Sequence, residues 1–548
     1  MKNKIKPLLI FVTLCCSFQA TAQVNLNRLI KAQEDLDKNT RQENKIEKRD
    51  VYSSVEDSAI TDIELPIEEN CVQIEEVVIE NDFLNDASIK KIKENVVGRC
   101  LGALGVEKLA SDLQDHVIKS GFVTTRVAIP NQDLSSHKLL LSIEPGKIER
   151  VIIKDNEVRD WILPFKSEEI LNLRNIEQGL EVLQKTPEME VKINIEPGSK
   201  DGYSNVVVDT KRISNWNARA WVNNWGDKGT GKTLASGAGY LYNLAKMNDV
   251  FYLSGTTNID HVKGGYNSVS AYYSVPFGYW DYELFYSNSK SKQTLNIATF
   301  DFNYIGKSEY LSLKGSRTVY RDQDKKVALS AELLRRKANY QLDDIELVLQ
   351  KRDMTNIRLA LNYKQNFSGA ALNTTLSYQR FLPWFGAEKT PDMKTGDVDS
   401  KSHITNLDLN YMKLLKFKPF DAYYDLRVGA QYSPKGLTLQ DQFSIGNRWS
   451  VRGFENGAEL YGNKGFYVQN TFNVMTGIKN IEWYLGADYG QVWGETSTHK
   501  QRLLGATTGF KGNINSLSYD VSVSKPLISP KALETDKLNI NFNISYQL

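Results

Sequence analysis

The sequence predicts two small α+β modules in tandem followed by a transmembrane antiparallel β-barrel of about 16 strands. Three observations predict it. From Trp216 to Leu548 apolar residues recur at every second position in segment after segment, the period of a strand with one greasy and one polar face. Upstream of Trp216 the texture changes to short strands mixed with helical stretches, and the tetrapeptide Ile-Glu-Pro-Gly occurs at Ile143–Gly146 and again at Ile195–Gly198. No stretch approaches the roughly 20 uninterrupted apolar residues of a membrane helix, so any passage through a bilayer is by strands.

Taken in order, the chain opens with Lys2, Lys4 and Lys6, an apolar run from Pro7 to Phe18 and small residues at Ala20-Thr21-Ala22. That is the layout of a secretory signal peptide over residues 1–22. Cys15 and Cys16 would leave with it, and Cys71 and Cys100 remain. In an exported protein an even pair is most simply a disulfide, the alternative being two buried free thiols. The 68 basic and 66 acidic residues nearly cancel to a net charge of +2, which is not the balance of a polycation, and no nucleic acid partner is expected.

Residues 23–50 are rich in Lys, Glu, Asp, Gln and Asn, with Leu26, Leu29, Ile30, Leu36 and Ile46 sparsely placed. This reads either as a helix whose charged surface tolerates a water-filled pore or as a solvated arm. Residues 51–70 form an acidic linker. The first α+β module is assigned to 71–146, with a helix over Lys108–Lys119, and the second to 147–210, with a helix over Ile176–Gln184. Each copy of Ile-Glu-Pro-Gly follows its helix and closes a strand, which reads as a duplication.

The barrel is assigned to residues 216–548. Its clearest strand is the last, where Leu538, Ile540, Phe542, Ile544, Tyr546 and Leu548 alternate with Asn539, Asn541, Asn543, Ser545 and Gln547. The same period recurs over Val269–Phe277, Ile357–Tyr363, Tyr424–Tyr432 and Leu517–Val523. A soluble β-sandwich alternates in a similar way. The number of strands and the Tyr and Phe residues near their ends favour a barrel wall facing outer-membrane lipid.

One motif argues for different chemistry. Gly226–Thr233, GDKGTGKT, fits the phosphate-binding loop of nucleotide hydrolases, whose glycines expose backbone N–H groups. Such a loop must open a helix, and Leu234–Tyr242 instead carries Gly237, Gly239 and strand alternation, so a hairpin loop is expected and no nucleotide. His116, His137, His261, His403 and His499 show no metal spacing and are expected at the surface or in loops, and no Gly-x-Ser-x-Gly elbow occurs. No catalytic, cofactor or metal site is expected.

The segment Asp441–Asn470, DQFSIGNRWSVRGFENGAELYGNKGFYVQN, sets Arg452 between Val451 and the pair Gly453-Phe454. It resembles the outer-membrane transporters of two-partner secretion, the hemolysin-activator and haemagglutinin-exporter family, in which a VRGF or VRGY motif tips a loop folded back into a barrel. Further matches are Gly121–Val127 with Pro130 and Gln132, Leu171–Leu180, Tyr272–Trp280, Trp384–Ala387 and Asp488-Tyr489-Gly490. Asn447, where a Gly is usual, departs from the pattern. The resemblance implies sixteen strands, an inward loop at 441–470, and an N-terminal helix that plugs the pore. It also implies two periplasmic POTRA domains with a substrate-binding region including Thr124, Arg126, Arg174 and Glu177. Arg452 would pair with Asp488 on the barrel wall, beside Gly490. The implied partner is a large secreted exoprotein of hemolysin or adhesin type with an N-terminal secretion domain, captured in the periplasm by strand addition and passed outward in extended form. Competing readings are a general barrel-assembly factor, which usually carries more modules, and a passive porin, against which the doubled modules weigh.

Overall fold

The computed structural model describes residues 29–43, 50–52 and 65–548, apart from 85, 156, 298–299, 418–419, 455–457, 479 and 495–496. The expected signal peptide, residues 23–28 and 44–49 of the expected helix and most of the linker lie outside the described residues.

The first element, helix α1, covers residues 29–43. Module one follows with strands β1 (Val72–Gln73) and β2 (Glu76–Glu80), helix α2 (Ala87–Val96), β3 (Cys100–Leu101), helix α3 (Ala103–Lys119), β4 (Arg126–Ala128) and β5 (Lys138–Glu144). Helix α2 starts where Asp86 accepts hydrogen bonds from the N–H groups of Ser88 and Ile89, both at 2.9 Å, and it buries the stripe Ile89, Ile92, Val96. Helix α3 begins at Gly102, which has no side chain to cap it. The Glu68 carboxylate from the linker supplies the cap, accepting from the N–H of Gly102 and Leu104 at 2.9 Å and of Gly105 at 2.8 Å. Cys71 and Cys100 are bonded, with their Cα atoms 5.3 Å apart, and staple the β1–β3 ladder beside the core.

Module two comprises β6 (Lys147–Ile153), helix α4 (Leu173–Leu183), β7 (Met189–Pro197) and β8 (Tyr203–Arg212). In module one β5 is central, parallel to β2 and antiparallel to β4; in module two β8 is central, parallel to β6 and antiparallel to β7. The modules share a topology, as a duplication requires. The tetrapeptides that drew attention to it are nevertheless not equivalent: the first closes the central strand β5, whereas the second closes the edge strand β7. A Pro-Gly pair suits any strand end that must turn, so its recurrence carried no register.

The barrel strands are β9 (Trp216–Asn223), β10 (Leu234–Tyr242), β11 (Val250–Asn258), β12 (Gly265–Phe277), β13 (Trp280–Ile297), β14 (Phe300–Arg321), β15 (Lys325–Leu342), the short return β16 (Ile345–Glu346), β17 (Arg352–Phe367), β18 (Ala370–Leu382), β19 (His403–Phe417) and β20 (Phe420–Tyr432). After the small hairpin strands β21 (Phe443–Ile445) and β22 (Leu460–Gly462), it continues with β23 (Lys464–Met475), β24 (Ile481–Gly494), β25 (Ser497–Ile514), β26 (Leu517–Ile528) and β27 (Asn539–Gln547). Setting aside β16, β21 and β22, sixteen antiparallel strands close into a barrel, and β27 pairs with β9 from Asn543↔Asn223 to Gln547↔Arg219. Residues 226–233 connect β9 to β10 as a hairpin loop, not as the start of a helix.

The wall is inverted relative to a soluble sheet. Leu253, Val269, Leu361, Val521 and Ile540 point outward and are exposed, while Ser254, Ser270, Ser289 and Ser522 point inward and are buried. Apolar side chains facing out over a continuous band, with polar ones lining the lumen, are the arrangement lipid demands.

Candidate functional site

The lumen is filled from two directions. The first occupant is α1, which lies against the inner wall and makes polar contacts with it. Asp37 accepts from Tyr266 Oη at 2.7 Å and Ser289 Oγ at 2.9 Å, and Gln33 accepts from Ser291 Oγ at 2.8 Å. Arg336 of β15 bridges Glu34 at 3.2 Å and Asp441 at 2.6 Å, and Trp221 Nε1 donates to Glu43 at 3.1 Å. Two buried apolar side chains anchor it: Ile30 among Tyr304, Ala338 and Tyr340, and Leu36 between Leu234 and Tyr266.

The second occupant is the connection from β20 to β23. It spans residues 433–463, so the expected bounds 441–470 are corrected: Lys464 to Asn470 already belong to the wall as β23. That stretch alternates as a wall strand does, and the turn-rich sequence before it masked where the loop ends. The loop returns into the lumen and touches α1, where Lys31 Nζ donates to Gln442 O at 2.7 Å and Ser444 Oγ to Asp35 at 2.9 Å. Its turn is made by Gly446, with φ of 107°. Asn447, in the place where a glycine was expected, holds the turn through its side chain, accepting from Trp449 N at 3.0 Å and donating to Glu459 at 3.1 Å.

At the tip, Arg452 meets Asp488 of β24. Its Nε and Nη2 reach the two carboxylate oxygens at 2.6 and 2.7 Å, and its backbone N–H adds a third bond at 3.0 Å. Asn470 N–H gives Asp488 a fourth, at 3.2 Å. The same Nη2 of Arg452 also reaches Asn470 O at 3.0 Å and Thr471 Oγ1 at 2.9 Å. Asp488 is wholly buried, so this forked pair replaces water on every side. Val451 and Phe454 flank the ion pair in an apolar cluster with Ile445, Leu460, Val492 and Leu503. Close approach is possible because the wall beneath is made of glycine: a side chain at Gly486 or Gly505 would run into Arg452, and one at Gly490 would lie 2.8 Å from Val451. Sequence reasoning identified Gly490 but missed Gly486 and Gly505. A glycine facing the lumen in an otherwise regular strand is the signal that would have found them.

Beside the tip, a cavity of about 480 Å³ opens between β20, β23 and β25–β27, lined by charged residues including Arg427, Lys511, Asp425 and Asp520.

A third constellation joins module two, the chain after α1 and the barrel rim. Arg321, at the end of β14, reaches Glu177 at 3.2 Å, Glu181 at 2.8 Å and Gln178 at 3.1 Å, all on α4. It also donates to the carbonyl of Val51 and lies over the Tyr52 ring. Lys326 bridges Asp50 at 3.1 Å and Glu181 at 2.5 Å. Arg174 and Glu177 are therefore buried in this junction, Arg174 bound to Glu177 at 2.5 Å, and in this arrangement neither is open to a periplasmic partner. Arg126 is exposed on the edge strand β4, whereas the Thr124 hydroxyl is buried against module one's own turn. His116 also departs from expectation: it lies on α3, mostly buried, 2.8 Å from Asp86.

A sixteen-stranded barrel with two α+β modules on one rim, a helix across its lumen and an inturned loop pinned to its wall is the architecture of an outer-membrane protein-secretion pore. Residues 202–512 match the family model described as haemolysin secretion/activation protein ShlB/FhaC/HecB, residues 72–146 match a POTRA domain of ShlB type, and residues 147–197 match a further POTRA domain. The chain belongs to the ShlB/FhaC/HecB family of outer-membrane transporters, with its POTRA domains N-terminal to the barrel. Among curated relatives it is 28% identical to outer membrane transporter CdiB-2 of Burkholderia pseudomallei (strain 1026b), over 82% of this chain and 79% of the relative. It is 25% identical to hemolysin transporter protein ShlB of Serratia marcescens, over 88% and 87% respectively. The solved structure of CdiB from Acinetobacter baumannii matches with a TM-score of 0.84 at 25% identity, covering 96% of this chain and 99% of that one.

Proposed function

We propose that this chain exports one large partner exoprotein of the hemolysin or adhesin type by two-partner secretion, without catalysis and without nucleotide. The observation that carries the reading is the pinned loop tip: an Arg452–Asp488 pair buried in the lumen fixes a loop position inside a pore, and the two POTRA modules weigh against a passive porin. The relatives named CdiB and ShlB favour a dedicated exporter over a general assembly factor. Helix α1 closes the resting lumen and leaves before passage. The exposed edge strand β4, with Arg126, offers backbone groups to an arriving extended chain. Inside, the polar wall beside the tip forms the route, and folding outside the cell prevents return. Exposed apolar residues on the outer wall meet outer-membrane lipid.

The test is deletion from the host, with comparison of proteins in the medium and on the cell surface. Loss of one very large exoprotein, restored by the wild type and not by Arg452→Ala, is the expected result. General depletion of outer-membrane barrels would identify an assembly factor instead.

A further inference from the structure

The outer wall carries a feature that secretion does not use. On β13 and β14, Ser289, Ser291 and Ser308 point into the lumen and are buried, the first two against α1. The residues between them therefore point to the membrane side. These are Lys290, Lys292 and Lys307, all exposed. Lys290 stands directly opposite Lys307 in the ladder, and Lys292, opposite Ile305, is the diagonal neighbour of Lys307. Directly opposite side chains of an antiparallel pair start about 5 Å apart and diagonal ones about 7–8 Å apart, and like charges so placed repel. No described residue hydrogen-bonds to or pairs with any of the three. The nearest outward carboxylate, Glu309, stands opposite another lysine, Lys337 of β15. Among the described residues the cluster thus carries a net positive charge.

Its height on the wall says what faces it. Trp280, where β13 begins, is at the rim bearing the modules, since Gly278 N donates to Ile162 O at 2.7 Å. Lys290 lies ten positions further along the strand. At about 3.4 Å per residue and a tilt of about 40°, that is about 25 Å along the membrane normal, the height of the apolar band. Between the two levels the same face presents Tyr282, Leu284, Tyr286, Leu311 and Leu313. Acyl chains cover those residues, and the three ammonium groups stand at the headgroup level of the leaflet away from the modules.

We propose that Lys290, Lys292 and Lys307 form a binding site for the phosphate groups of a phosphorylated glycolipid anchored in the outer leaflet. A lysine near a charged bilayer surface contributes about 1 kcal/mol, or about fivefold in affinity. A phosphate placed among three removes their mutual repulsion as well.

The full-length protein is reconstituted in nanodiscs holding a trace of lipid A, with dephosphorylated lipid A and inorganic phosphate as separate arms, and bound lipid is counted by native mass spectrometry. Wild type retains lipid A at least fivefold better than the dephosphorylated form, and Lys290→Gln/Lys307→Gln lowers the retention of lipid A at least fivefold. The single Lys307→Gln variant gives an intermediate value and serves if the double variant does not fold, judged by heat-dependent gel mobility. Equal retention of both lipids, or of lipid A by wild type and variant, overturns the proposal. Displacement by millimolar inorganic phosphate would replace it with a site for free phosphate.

Discussion

At Arg452 the pore's chemistry condenses into one pair. A guanidinium keeps its charge, so inside a wall it requires a carboxylate, and Asp488 supplies both oxygens in the planar geometry that only arginine matches. Removing Arg452 leaves a buried carboxylate uncompensated and destabilises the docked loop by about 3–5 kcal/mol, while the strand ladders keep the barrel closed. Arg452→Ala is therefore expected in the membrane at normal levels, with secretion lost; Arg452→Lys recovers little, because it cannot fork. Gly505→Val, which removes neither charge, produces the same loss by pushing the tip off the wall. Module one offers a separate residue-scale test. Partial burial alone would raise the Asp86 carboxyl, but the N–H of Ile89, the His116 side chain and the N–H of Ser88 hold it below its usual range. A lowered folded value means the contribution is fully present above about pH 4 and is lost as pH falls through that lowered value. Asp86→Ala is expected to cost about 1 kcal/mol of α2 protection in hydrogen exchange at pH 7, and the difference from wild type vanishes in acid.

Among the elements, α1 and α4 are coupled through the barrel rim. Arg321 holds the Val51 carbonyl and the Glu177 and Glu181 carboxylates together, so module two, the chain after α1 and the wall share one cation. Arg321→Ala combined with Lys326→Ala removes both cations that join the chain after α1 to α4, and more frequent channel opening is expected in planar-bilayer recordings; unchanged opening would mean that these two cations do not hold α1 in place. None of this was legible in the sequence. Arg321 lies 144 positions from Glu177, and nothing in α4 separates a carboxylate meant for a barrel from one meant for a secreted partner. The strands, by contrast, were legible because lipid and lumen impose opposite polarity on alternate residues, as Ile540 and Asn539 record in β27. The loop tip was legible through its motif, yet the glycines beneath it read only as weak strand residues. The Ile-Glu-Pro-Gly repeat pointed to the right architecture through positions that are not equivalent in it.

For the molecule as a whole, the two occupants divide the lumen. Helix α1 covers the serine-lined wall of β12 and β13, whereas the loop tip is fixed to β24 and leaves the charged cavity beside β25. On the proposed reading, departure of α1 would join the two regions into one polar conduit while the Arg452–Asp488 pair keeps the tip on β24. On β25, Lys511 faces that cavity, hydrogen-bonded to Tyr423 Oη and Asn473 at 2.9 Å, and its neighbour Phe510 faces lipid. A photo-crosslinking side chain at position 511 and, separately, at 510 tests the central claim most directly in cells secreting the partner protein. Adducts between barrel and exoprotein at 511, with none at 510, are the predicted result. Adducts at 510 alone, or at neither position while secretion continues, would contradict passage through the lumen.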